Sequence, residues 1–182
     1  MKPWQHLKTI CHHRRLVRQG CFRVGLYWQG LTHDLSKFSP TEFWSGAKYF
    51  QGNRSPNSAQ REAEGYSVAW MHHKGRNRHH YEYWTDILPG TGRYAPVPMP
   101  RKYLAEMVMD RRAACMTYEG KNYTPASPLA YFSRSKERHF MHPQTARELE
   151  FLLTMLKEKG EKETFSFIRS TVLTGKTFAK EI

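Results

Sequence analysis

Thiols are scarce in this chain. Three cysteines, Cys11, Cys21 and Cys115, are spread over 182 residues with no Cys-x-x-Cys pair. An odd number at wide spacing argues against a disulfide framework and against a thiolate zinc site. Long apolar runs are missing as well, and nothing approaches the roughly 20 residues needed to span a bilayer. The first residues, MKPWQHLKTICHHRRLVRQG, contain no uninterrupted apolar core of signal-peptide type. The expectation is a soluble, cytoplasmic protein with no membrane partner. Acidic residues are few: 16 against 29 Lys and Arg, a formal charge of +13. That balance favours anionic partners such as nucleotides, phosphate esters or nucleic acid. No long Lys/Arg block concentrates the charge, so no detachable basic tail is expected. Alternating strand patterns are few and there is no internal repeat.

Hydrophobic residues make up 39% of the chain and aromatic residues 14%, a globular composition. The length suits one domain with a real core. Residues 5–29 read as one long helix, with Leu7, Ile10, Cys11, Leu16, Val17, Val24 and Leu26 loosely on one face. Ser39, Pro40 and Glu42 mark a helix start before TEFWSGAKYF. Residues 51–59 read as a loop, and QREAEGYSVAWMHHK as a helix weakened at Gly65. GRNRHHYEYWTD suits a loop or a short helix, and ILPGTGRYAPVPMP, with four prolines, reads as loop. A strong helix follows over residues 101–119, then a short one. HPQTARELEFLLTMLKEKG is punctuated by Pro143 and Gly160, and residues 161–181 read as a final helix. The fold class is all-α. A single domain covers residues 1–182, with a site-bearing core over about 10–120 and C-terminal helices over about 125–180.

Ten histidines stand at positions 6, 12, 13, 33, 72, 73, 79, 80, 139 and 142, four of them within HHKGRNRHH. On a continuous helix His72 and His79 would share a face, as would His73 and His80. His33 adjoins Asp34, and His12 adjoins His13. Surface or core histidines need no ligand, but this density favours a metal. Imidazole and carboxylate without thiolate suit Mn, Fe, Zn, Co or Ni, as one or two divalent ions, rather than calcium. A second carboxylate is Asp110 in EMVMDRRAA, which interrupts the apolar stripe of Met107 and Val108. In that setting it needs either a metal or a basic partner such as Arg111 or Arg112.

A first histidine on a helix, a His-Asp pair, further histidines and a late aspartate resemble the order of ligands in the HD superfamily. THDLSKFS is similar to its His-Asp-x-x-Lys form. The chain resembles still more closely a family of bacterial and phage proteins catalogued as a domain of unknown function, number 5662. That likeness rests on HDLSKFSPTEF, AWMHHKGRNRHHYEYW and EMVMDR, and covers roughly residues 10–155.

The HD resemblance implies a compact, HD-like helical bundle and a metal-dependent phosphohydrolase acting on a nucleotide or other phosphate ester. It implies that His13, His33, Asp34 and Asp110 hold one metal, with His12 an alternative to His13. His73 and His80, with His72 or His79 in addition, would hold a second, and Asp34 would bridge. Asp34 and Lys37 would be catalytic. Lys37, Lys74, Arg76, Asn77 and Arg111 would bind the phosphate-bearing substrate. Two other functions fit the same residues. A helical His/Asp site can hold two irons and oxidise its substrate. A nucleic-acid-binding protein with a structural metal would use the basic charge and stack bases on Trp70, Tyr81, Tyr83 and Trp84.

Overall fold

The computed structural model describes residues 1–179; eight α-helices and one short hairpin make up its regular elements. Helix α1 runs Pro3–Val24, with proline in the first turn where its missing N–H costs nothing. Gly25 ends it in the left-handed region (φ 87°), its N–H turned back to the carbonyls of Cys21 and Phe22. The long helix expected over 5–29 is therefore two. Chain direction changes at Gly25, and α2 (Tyr27–Thr32) begins two residues later. His33 and Asp34 follow, then a 3-10 turn at Leu35–Phe38. Helix α3 (Pro40–Lys48) starts as its sequence signals, with the Ser39 hydroxyl accepting from the Glu42 N–H.

Helix α4 (Pro56–Glu64) takes in the end of the stretch expected as loop, because Pro56 suits its first turn. Gly65 (φ 80°) separates it from α5 (Val68–Lys74), which Ser67 caps from the Trp70 N–H. The Pro/Gly-rich stretch expected as loop forms an antiparallel hairpin instead. Strands β1 (Thr85–Ile87) and β2 (Tyr94–Pro96) pair with Asp86 opposite Ala95, and Gly90 and Gly92 sit in the turn with positive φ. Helix α6 spans Arg101–Glu119 and α7 Ser127–Arg134. Helix α8 (Pro143–Phe167) is broken at Gly160, which takes φ 73° and ψ −177°. A π-helical turn over Ile168–Val172 closes the packed chain. Helical structure expected beyond that point is absent through residue 179, and residues 180–181 lie outside the described residues.

Helix α6 is the centre of the molecule. Leu104, Val108, Met109 and Ala113 are fully buried against Val17, Cys21 and Val24 of α1 and Leu149, Leu152 and Leu153 of α8. Gly20 sets the α1–α6 spacing, since a Cβ there would lie 2.7 Å from Met109 Sδ. Truncating one of these leucines to alanine removes about 2–5 kcal/mol of stability. Cys21 and Cys115 are buried in this core, whereas Cys11 is exposed. Among the described residues no helix is long and apolar enough to cross a membrane.

Candidate metal centre

The α1–α6 packing brings His13 and Asp110 face to face, with His13 Nε2 2.9 Å from Asp110 Oδ1. His13 points inward while its neighbour His12 is exposed, so the helical phase selects between them. The chain then presents His33 and Asp34 at the sharp exit from α2. Asp34 is a non-glycine residue in the left-handed region (φ 54°), a conformation that aspartate tolerates better than most residues. This backbone twist lets adjacent residues aim at one point. His33 Nε2 lies 3.4 Å from Asp34 Oδ2 and 3.4 Å from Asp110 Oδ1.

Helix α5 and the turn after it supply the other wall. His73 Nε2 is 3.3 Å and His79 Nε2 3.5 Å from Asp34 Oδ1. Two sets meet at Asp34, each with donor atoms within 4.8 Å of one another: His13, His33, Asp34 and Asp110, and Asp34, His73, His79 and His80; a third group, His33, His79 and Glu106, lies beside them. Asp34 belongs to both, one carboxylate oxygen turned to each side.

A second layer of carboxylates fixes the imidazoles. Glu106 of α6 is one turn before Asp110 on the same helix. Its Oε1 lies 2.9 Å from His33 Nδ1 and 3.2 Å from His79 Nδ1. Glu42 of α3 takes His73 Nδ1 at 2.7 Å and His72 Nδ1 at 2.6 Å. With Nδ1 engaged outward, each Nε2 faces the centre, the arrangement that orients metal-binding histidines.

The electrostatics follow from the crowding. Burial alone would raise the Asp34 pKa, but His33 and Lys37 beside it hold the carboxyl well below its ordinary range. Asp110 is likewise held low, against burial, by the His13 and His33 imidazoles beside it. Burial pulls His33 down, yet Asp34, Asp110 and Glu106 together push its imidazole up to about 10. His13 and His80 are lowered, chiefly by burial.

The residues fit a cation. His33 Nε2, His79 Nε2, His80 Nε2 and Asp34 Oδ1 are buried without a hydrogen bond, whereas His13 Nε2 faces Asp110 and Asp34 Oδ2 faces Lys37. Each such atom costs about 1–3 kcal/mol unless something satisfies it. Imidazole and carboxylate around a shared aspartate suit a divalent transition metal.

His72 stands outside both sets and spends its ring on Glu42. The two-by-two helical pairing of histidines fails because α5 ends at Lys74, so His79 and His80 arrive from a turn. Lys37 reaches Asp34 Oδ2 at 2.7 Å and is 28% exposed at the mouth of the site. The mouth opens into a cleft of about 750 Å³ between α1 and α6, lined by His6, Ile10, Asp110, Ala114 and Tyr118 among others. Arg111 lines it too, but both its terminal nitrogens donate to Glu137, at 2.7 and 2.9 Å. Lys74 and Arg76 do not line it, and Arg76 donates to the His72 carbonyl instead. Asn77 spends its amide on the Ser36 hydroxyl and the His73 carbonyl, bracing the α5 wall. Trp70 meets the His80 ring edge-on and Trp84 packs on Tyr103, and both indoles are half-buried. His142 accepts from the Gln144 N–H at the start of α8, far along the chain from these ligands.

No sequence motif assigns a site role to Glu42, Glu106, His6 or Tyr118. Glu106 carried a usable signal, a second carboxylate on the apolar face of α6, four residues before Asp110. Glu42 carried none, because its capping position already explains it. No curated protein and no solved structure matches the chain. The sequence model of one family, described as a family of unknown function (DUF5662), matches residues 2–155. The chain belongs to that family.

Proposed function

We propose that this protein is a metal-dependent phosphohydrolase of the HD type, acting on a nucleotide or other phosphate ester. The observation that carries the proposal is the cluster of buried imidazole nitrogens around Asp34, of which His33 Nε2, His79 Nε2 and His80 Nε2 make no hydrogen bond. His13, His33, Asp34 and Asp110 would hold one divalent ion, and Asp34, His73, His79 and His80 a second. Bound metal supplies a water acidified from 15.7 to near 7 and positive charge for a phosphoryl oxygen.

The chain's own residues do the rest. Asp34 joins the two sets and keeps them at a fixed separation. With a cation bound, Glu106 and Glu42 would accept from the Nδ1–H of His33, His79 and His73 and leave each Nε2 to the ion. Lys37, at the mouth, is the cation placed to hold a non-bridging phosphate oxygen. The cleft beyond Asp110 has room for a leaving group far larger than phosphate, between Ile10, Ala114 and Tyr118.

The test begins with elemental analysis of untagged protein beside Asp34→Asn. One to two equivalents of transition metal in the wild type, lost in the variant, are expected. Turnover of nucleoside monophosphates and p-nitrophenyl phosphate by the loaded wild type should follow. Iron with oxygen uptake and no phosphate release would assign a di-iron oxygenase instead. A wild type that binds none of Mn, Fe, Zn, Co or Ni on reconstitution overturns the proposal.

A further inference from the structure

The charge of this chain is unevenly placed. Residues 1–41 hold seven Lys and Arg and one acidic residue, Asp34. Asp34 is 1% exposed, so this stretch shows solvent only positive charge. A net charge of +13 also exceeds the roughly 2–8 that keeps a small domain soluble.

Helix α1 organises that charge. Its inner face carries Ile10, His13, Val17, Cys21 and Val24 into the core and the metal centre. Its outer face exposes Trp4, Lys8, Arg15, Arg18 and Phe22, spaced three, four or seven residues apart along one stripe. Lys8 and Arg15 stand about 10 Å apart on a helix about 33 Å long. Arg15 and Arg18 make no hydrogen bond or ion pair with any described residue. Lys8 reaches only the Trp4 ring, with Nζ 5.4 Å from its centroid. Aromatic rings bracket the basic tract. Trp4 is 63% exposed at one end, and Trp28 is 74% exposed just past the other.

We propose that the outer face of α1 is a binding surface for single-stranded nucleic acid, with Lys8, Arg15 and Arg18 on phosphates and Trp4 stacking on a base. Alternating cations and exposed aromatic rings suit an unpaired strand, whose phosphates repeat and whose bases are free to stack. An anionic membrane is the poorer match. An interfacial helix needs an apolar face to insert, and the apolar face of α1 is already buried. This surface lies on the side of α1 away from His13, so it stands or falls apart from the metal-site reading.

The experiment is fluorescence anisotropy of a labelled 20-nucleotide oligothymidylate in EDTA, with the full chain. Three phosphate contacts predict a roughly twentyfold loss of affinity between 50 and 200 mM salt. The triple change Lys8→Gln, Arg15→Gln, Arg18→Gln should weaken binding at least tenfold at 50 mM salt. Trp4→Ala should weaken it about tenfold. The control is Lys157→Gln, Lys159→Gln, Lys162→Gln, the same charge change on the exposed side of α8. Equal losses in the two triple variants would mean attraction to net charge alone and overturn the proposal. So would flat anisotropy, and co-sedimentation with phosphatidylserine vesicles would then assign the face to lipid. Retained binding by Asp34→Asn separates this surface from the metal centre.

Discussion

Replacing Glu106 with glutamine keeps the shape of the side chain and removes its charge. Two imidazoles lose their anionic partner at once, because Oε1 lies 2.9 Å from His33 Nδ1 and 3.2 Å from His79 Nδ1. Those histidines belong to different ligand sets, which share only Asp34. An outer carboxylate behind a ligating histidine is typically worth 10–100-fold in metal affinity, about 1.4–2.7 kcal/mol. Glu106→Gln should therefore weaken both metals by that factor. Glu42→Gln is the internal comparison. Glu42 holds His73 of one set, and its other partner, His72, belongs to neither. It should weaken one metal and spare the other. Competition titration against a fluorescent zinc chelator resolves the two binding steps. Affinities of Glu106→Gln within about twofold of wild type at both steps would refute the reasoning, as would loss at one step only.

Lys37→Met should leave metal binding equal or tighter, since a cation 2.7 Å from Asp34 Oδ2 is removed. Phosphate-ester turnover should fall about 10²–10³-fold, and an unchanged kcat would remove Lys37 from the chemistry. At Gly46 an added methyl would overlap the buried His6 ring where α1 meets α3. Gly46→Ala should cost about 1–3 kcal/mol in urea denaturation, and most of that coupling should vanish in a His6→Ala background. Burial, and then Lys37, push the His6 imidazole down to about 4. A lowered folded pKa gives stability that is full above the unfolded value near 6.5 and is lost as pH falls toward 4. The loss is about 3 kcal/mol. Denaturation curves between pH 7 and 4 should therefore be steeper in pH for the wild type than for His6→Leu, and parallel curves would contradict this.

The inner cluster was readable because few side-chain types bind metal and their motifs are short. His13, His33, Asp34 and Asp110 bring donor atoms within 4.8 Å of one another, and helical phase separates His13 from His12. The second set was readable only as a cluster. Which imidazole of HHKGRNRHH points inward depends on where α5 stops, and its end at Lys74 replaces helical pairing with a turn. Glu42 illustrates a deeper limit. Its backbone N–H serves the Ser39 cap while its carboxylate serves His72 and His73, and the first role hides the second. Arg111 shows a different limit. Its position beside Asp110 suggested a salt bridge to that carboxylate, and only the fold reveals that Glu137 takes its guanidinium instead. The helical class followed from periodicity, but the hairpin did not, because prolines and glycines mask strands only three residues long.

The distribution of the cysteines has a practical consequence. Burial pushes the Cys21 thiol far up and the Cys115 thiol up to about 12, so neither forms thiolate near neutral pH. Cys11 is the exposed one, on the outer side of α1 beside Lys8 and Arg15. A maleimide dye should therefore attach once, at a known place, without any engineered change. The folded chain brings its own addressable reporter, mounted on a helix whose opposite side holds His6 and His13.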